Sequence, residues 1–450
     1  MNKLSKTTNW VLDAILSEEA FCFYAVSCMI LMPLAEFISE LMGHVFVTQP
    51  VIFSIYGIAG MFIVALKFTF RPSKKHWSDI FFFMLLIFMF LSLIYSKDIA
   101  RAVRNSDTTE YPAYFLAYYF LMFAGFQISK NKLRNIVLYT FIGLSFLEGI
   151  LGVFQITGHV IMPPYHQPDR YLDQAFALTQ NPNNFGELCV LFVGACVGAF
   201  LFSKTIKGKI IFGILSLFAL FSAYESFSRL SWLGVFAVFV FDLIMVAVMH
   251  RKHKDNKMYK NNLRLLAIGA VVLVVSAGIF VAFNDFAQTK ILNSINEIKG
   301  AFNGDFDHFA SSRGYIWRFA WESVPKNWVI GVGLDNLHWC FASSGKWIEA
   351  MYYNNRAHNV YLHILATQGV FALINYLALI TIAQVKAVKR IVNNSDEEDV
   401  KLTWIFLSMF IGYCVAAFFS VRAFNVELYF CITMGVMVPR LQNSNVKEAA

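Results

Sequence analysis

Arg229 in SFSRLSWLG, Arg313 in SSRGYIWRF, and the run NNRAHNVYLH at residues 354–363 set guanidinium, amide and imidazole groups against strongly apolar stretches. An arginine fork binds phosphate oxygens in pairs and keeps its charge at any physiological pH, so several converging arginines suit a diphosphate. Arg170, Arg318 and Arg356 extend the set, and Arg422 joins it from the last external turn. His358 titrates near neutrality when unperturbed, which fits a general base or a donor to developing charge. Each group also has a plainer reading. Arginines at the ends of apolar segments can be interfacial anchors, and a histidine at a helix start can bond locally. Arg229 fits the plainer reading least, because its loop is too short to be a solvated excursion. Among the acids, Glu187 and Glu427 read as arginine partners, and Asp242 as a residue facing other helices.

The elements that must carry these residues follow from composition. The chain has 450 residues, 58% of them hydrophobic, with 47 Phe, only 15% charged and a mean hydropathy of +0.55. A soluble globule could not bury that much apolar surface, so the expectation is an all-α integral membrane protein. Apolar runs long enough to cross a hydrocarbon core recur about twelve times. They lie near 21–42, 51–70, 78–96, 112–128, 136–157, 185–203, 209–227, 231–249, 265–284, 358–382, 402–420 and 425–440. Alternate short loops carry Lys67, Arg71, Lys74 and Lys75, then Lys130, Lys132 and Arg134, then Lys204, Lys207 and Lys209, then Arg251 to Arg264, then Lys386, Lys389 and Arg390. By the positive-inside rule these loops and both termini face the cytoplasm. The net charge of +8 is then a topology signal, and no basic patch argues for nucleic acid.

The expected organisation is a cytoplasmic segment 1–20, helices one to nine over 21–284, a large extracytoplasmic loop at 285–357, helices ten to twelve over 358–440, and a cytoplasmic tail 441–450. The large loop is rich in Trp, Phe, Ile and Val, so it is expected to fold over the membrane, with an amphipathic helix near Arg313–Ser323. A second external segment, 158–187, is broken by Pro163, Pro164, Pro168 and Pro182, and Asn181–Asn184 can cap the span that follows. Six of the seven cysteines fall within spans, which implies no disulfide framework, and no Cys/His spacing suggests zinc. IGVGLDN reads as a turn rather than a nucleotide fingerprint. The start of the chain shows no cleavage site, so the first helix is expected to stay.

In order along the chain, QNPNNFG at 180–186, SFSRLSWLG at 226–234, SSRGYIWRFAWESVPKNWVIGVGLDN at 311–336 and RAHNVYLHILATQGVFALINYL at 356–377 resemble the O-antigen ligase and O-antigen polymerase superfamily. The resemblance spans roughly residues 145–380. It implies a C-type membrane glycosyltransferase with about twelve helices and a large external loop, active at the outer face of a bacterial cytoplasmic membrane. It implies an undecaprenyl diphosphate-linked glycan as donor and another glycan as acceptor, joined with inversion and without a metal or other cofactor. A flippase and chain-length regulator proteins are the further partners it suggests.

The family's diphosphate-binding arginines match Arg229 and Arg313, with Arg170, Arg318 and Arg356 as further candidates for that role. Its HN histidine matches His358, so the implied catalytic set is His358, Arg229 and Arg313. A nearby carboxylate stays open as an alternative base. Polymerase and ligase share these motifs. Lys, Asn, Ile and Phe usage tilts the expectation towards a polymerase of a surface polysaccharide, with a ligase that moves the glycan to a lipid A core or protein as the alternative. A membrane anion transporter and a non-catalytic scaffold are the competing classes, and a transporter predicts charges at mid-membrane rather than at one face.

Overall fold

The computed structural model of the protein describes residues 6–41, 48–72, 76–104, 110–159, 174–179, 181–346, 356–422 and 424–440. Arg170, Asn354, Asn355 and the tail 441–450 lie outside the described residues. Among those described, the structure is helical without strands. An amphipathic α1 (Lys6–Ile15) leads into α2 (Glu18–Leu41), α3 (Thr48–Phe70), α4 (Trp77–Ile94), a short α5 (Ile99–Arg104), α6 (Pro112–Gln127), α7 (Asn131–Ile156), α8 (Pro182–Phe202), α9 (Ile206–Glu225), α10 (Arg229–Lys252) and α11 (Lys257–Ala282). The long segment then forms α12 (Asp285–Phe302), α13 (Phe309–Asn327) and a 3-10 turn at Leu337–Ser344. The chain returns through α14 (Val360–Gln368), α15 (Val370–Asn393), α16 (Glu397–Ala416) and α17 (Phe424–Met437).

Ten described helices are long and apolar enough to cross a membrane, which defines a multi-pass membrane protein. The two further spans expected from sequence are shorter: α6 has 16 residues and α17 has 14. Both are enclosed by neighbours, so protein rather than lipid satisfies their ends. They cross closely because Gly125 meets Gly435: a Cβ on Gly125 would lie 2.9 Å from the Gly435 Cα. α8 is buried almost throughout, whereas α11 has only 6% of its apolar window buried and forms the rim.

Alternation of the long helices gives the bundle two unlike ends. At the basic end, Arg134 of α7 is fully buried and donates to Asp399 (2.5 Å), to Thr403 Oγ1 (2.9 Å) and to the Val436 carbonyl (3.0 Å), tying α7 to α16 and α17. Arg390 grips the same carboxylate with two bonds of 2.6 Å. Mid-bundle, Asp242 accepts from Trp404 Nε1 (2.8 Å) and Ser408 Oγ (3.2 Å), so it faces other helices as expected. The loop end gathers α5, α12, α13, α14 and the turn before α10.

The tenth expected span requires a correction. Residues 358–382 are not one helix, because Gly369 breaks the run with φ +85. The Val370 N–H there turns to the Trp328 carbonyl (2.7 Å), and a Cβ on Gly369 would sit 2.2 Å from Val329 O. Backbone crossing and left-handed dihedral leave no room for another residue. The spanning helix is α15, which runs eleven residues past the expected end, since 393 − 382 = 11.

Candidate active site

Arg229 is the first residue of α10, after a turn in which Phe227 takes φ +48 and Ser226 Oγ accepts from the Ser228 N–H (3.2 Å). Ser228 in turn donates to Asn183 Oδ1 (2.9 Å). The expected cap is also there: Asn181 Oδ1 accepts from the Asn183 N–H at 2.8 Å. The turn is thus locked to the start of α8, which aims Arg229 into the loop end. Its guanidinium makes a fork with Glu297 of α12, Nη1 to Oε2 at 2.7 Å and Nη2 to Oε1 at 3.1 Å. A third contact runs from Nη2 to Ser311 Oγ (3.1 Å).

Arg313 stands two residues beyond Ser311. The first turn of α13 is not helical: Ala310, Ser311 and Ser312 have φ of 54°, 61° and 65°, and right-handed winding resumes at Arg313. That matches the helix expected from Arg313 onwards. Arg313 Nη1 donates to the Phe419 carbonyl (2.5 Å) in the 3-10 turn Ala417–Phe419 that follows α16. Desolvation and the neighbouring Arg229 pull its pKa down to about 10, which leaves it charged at neutral pH. Beneath it Glu187 of α8 is fully buried, its carboxylate makes no hydrogen bond within 3.5 Å, and Arg313 supplies its favourable charge. Glu427 accepts from Tyr413 (2.5 Å) and lies 3.7 Å from Arg422 Nε, while the Arg422 guanidinium packs over the Phe115 ring at 5.0 Å. The expected pairing with an arginine is therefore present for Glu427, whereas Glu187 makes no ion pair among the described residues and feels Arg313 only at longer range.

His358 is not the first residue of a helix, as sequence suggested. Asn359 is the N-cap of α14, accepting from the Leu362 N–H at 3.0 Å, and His358 precedes it with φ +48. Among the described residues its imidazole makes no hydrogen bond, and it is half-buried. Desolvation, Arg313, Arg356 and His363 push its pKa down to about 3, so the ring is neutral in this state.

Arg356 belongs to a buried network beside the arginine corner. It donates to Asp335 Oδ1 (2.9 Å), while Arg101 of α5 lies 3.0 Å from Oδ2. Glu110 accepts from the Asp335 N–H (2.7 Å) and sits 2.8 Å from His363 Nε2. Burial opposes the Glu110 charge, but His363, Arg356 and that N–H hold its pKa down to about 2. The Ala357 N–H donates to His363 Nδ1 (3.2 Å), so this network fixes the backbone on which His358 is mounted. His363, read as structural from sequence, occupies such a place.

Arg318 is not brought into the corner. Asp307 holds its fork at 2.7 and 2.8 Å on the surface, where its side chain is 40% exposed. Sequence reading missed Glu297, Ser311, Asp335 and Glu110 as members of the loop-end networks. Only the basic neighbours hinted at them.

The fold and this corner define the class: a multi-pass helical membrane protein with a cluster of arginines and an uncharged imidazole at one end of the bundle. Residues 189–377, somewhat under half of the chain, match the family described as O-antigen ligase, and this match supports the resemblance to the O-antigen ligase and polymerase superfamily. The match contains Arg229, Glu297, Arg313, Arg356 and His358. No curated protein matches the chain in a sequence search. The family works in glycan transfer, which supports a glycosyltransferase-type enzyme and implies a glycan or lipid-linked substrate in a bilayer.

Proposed function

We propose that the protein polymerises undecaprenyl diphosphate-linked repeat units of a surface polysaccharide at the extracytoplasmic face of a bacterial cytoplasmic membrane, with both termini in the cytoplasm. The observation that carries this reading is the meeting of Arg229, Arg313 and His358, from three segments far apart in sequence, within one electrostatic neighbourhood. Two guanidiniums fit a diphosphate, and the adjacent neutral ring has a free nitrogen to accept a proton. The basic loops at the opposite end support the orientation.

In this reading the acceptor hydroxyl oxygen attacks the donor's anomeric carbon from the face opposite the diphosphate. The bond from that carbon to the phosphate oxygen breaks, the lipid diphosphate leaves with the electron pair, and the hydroxyl proton passes to His358. Attack from the opposite face inverts the anomeric centre. Charge grows on the leaving oxygen as the bond stretches, so Arg229 and Arg313 stabilise the transition state more than the ground state. Arg356 acts at one remove, by holding Asp335 and the backbone before His358. Metal-independence and inversion are part of this proposal, as is polymerase in preference to ligase.

The test is conversion of an undecaprenyl diphosphate oligosaccharide by purified protein in detergent. A ladder from donor alone supports a polymerase; one transfer to a separate acceptor supports a ligase. Arg229→Ala, Arg313→Ala and His358→Ala should each lower kcat/KM by about 100-fold or more, the scale of losing an electrostatic or proton-transfer contact. No product with any acceptor, together with anion flux in liposomes that the three variants leave intact, would replace the enzyme reading with a transporter.

A further inference from the structure

Glu297 holds a position that its own helix does not need. Its carboxylate receives both arms of Arg229 (2.7 and 3.1 Å) and the Ser311 N–H (3.0 Å), while Ser311 Oγ bonds the same guanidinium. Three consecutive non-glycine residues, Ala310 to Ser312, are held left-handed to present that N–H. Left-handed backbone of this kind is costly for residues with a Cβ, collects at ligand clamps, and forms concave sites for anions. Two oxygens of one carboxylate spaced across a guanidinium fork and a backbone N–H reproduce the demands of a phosphate.

We propose that Arg229, the Ser311 N–H and the Ser311 hydroxyl form a phosphate subsite of the donor pocket, and that Glu297 is the internal anion which fills it until the donor diphosphate takes its place. The inference rests on the proposed donor site and deepens it by naming a further positioning residue and the group the substrate must displace. It follows that α12 is released from α10 as the donor enters, because the Glu297 fork is the charged link between them. Arg313, the other cation acting on Glu297, turns to the diphosphate in the same exchange.

Inorganic diphosphate binding to the full chain in detergent, measured calorimetrically, tests the exchange. Glu297→Gln removes the competing charge and should tighten binding about 5- to 30-fold, the worth of a part-buried charged fork. Ser311→Ala should weaken it about 3-fold. Arg229→Ala should abolish it, and amide hydrogen exchange in α12 should rise on diphosphate addition to the unmodified protein. If Arg229→Ala binds as well as the unmodified protein, the donor-site reading itself fails. If Arg229→Ala loses binding while Glu297→Gln is unchanged or weaker, the donor site stands and the exchange is overturned. Circular dichroism with a matched melting temperature establishes that each variant is folded.

Discussion

A donor bound at Arg229 and Arg313 should change the basicity of His358, and the size of that change can be worked from its surroundings. Burial, Arg313, Arg356 and His363 hold the imidazole pKa at about 3. At pH 7 only about one ring in ten thousand is then protonated. A base so weak would be a poor acceptor for a sugar hydroxyl proton. A diphosphate brings negative charge to Arg313, the first of the three groups whose charge depresses it, and an opposite charge at close range moves a pKa by roughly 1–3 units.

The loaded enzyme should therefore carry His358 at about 4–6, nearer the value at which a general base works. Nitrogen-15 histidine spectra of the detergent-solubilised protein, with His358→Gln as the assignment control, would follow the ring from pH 4 to 8. The expected result is a neutral ring throughout that range in the empty protein and an upward shift of one unit or more on adding inorganic diphosphate. An empty-state titration near 6.5, or one that diphosphate leaves in place, would refute the reasoning. The sign for stability follows from the same shift. Below pH 6.5 the unfolded chain takes a proton that the folded one refuses, so stability falls as pH drops from 6.5 towards 3, and this group contributes nothing above pH 7.

Other residues give sharper structural tests. Gly369→Ala places a Cβ against Val329 O at φ +85, so it should cost about 2–4 kcal/mol and lower the melting temperature in detergent; an unchanged melt would mean that the α14–α15 break adapts. Asp399→Ala strands the buried Arg134 and should destabilise by about 3–5 kcal/mol, whereas the paired change Arg134→Met with Asp399→Leu should recover much of it in chemical unfolding. Arg318→Ala breaks an exposed pair with Asp307 and should change both stability and kcat/KM less than about 3-fold, set against the loss at Arg229 in the same glycan-transfer assay.

Composition and spacing alone revealed much of this protein. Apolar runs of spanning length can only be satisfied in lipid as helices, and alternating lysine-rich loops divide their ends into two kinds, so the membrane class and the segregation of charge were legible along the chain. Arg229 was legible as well, because a cation in a loop of a few residues has little room to be anything but a boundary residue. The NPNNFG cap was a local matter of one side chain reaching a backbone N–H two residues on. What crosses large sequence distances was not legible. Nothing near Glu297 in sequence names Arg229, 68 residues away, as its partner, and Glu110 meets Asp335 across 225 residues. The break at Gly369 was not legible within the apolar run 358–382, because only the approach of the Trp328–Val329 backbone makes its left-handed dihedral necessary. His358 carried its family resemblance openly, yet its neutrality belongs to the tertiary structure: the charges that suppress its proton come from Arg313 and Arg356 converging on one half-buried ring, and Coulomb interactions depend on distance in space rather than on order along the chain.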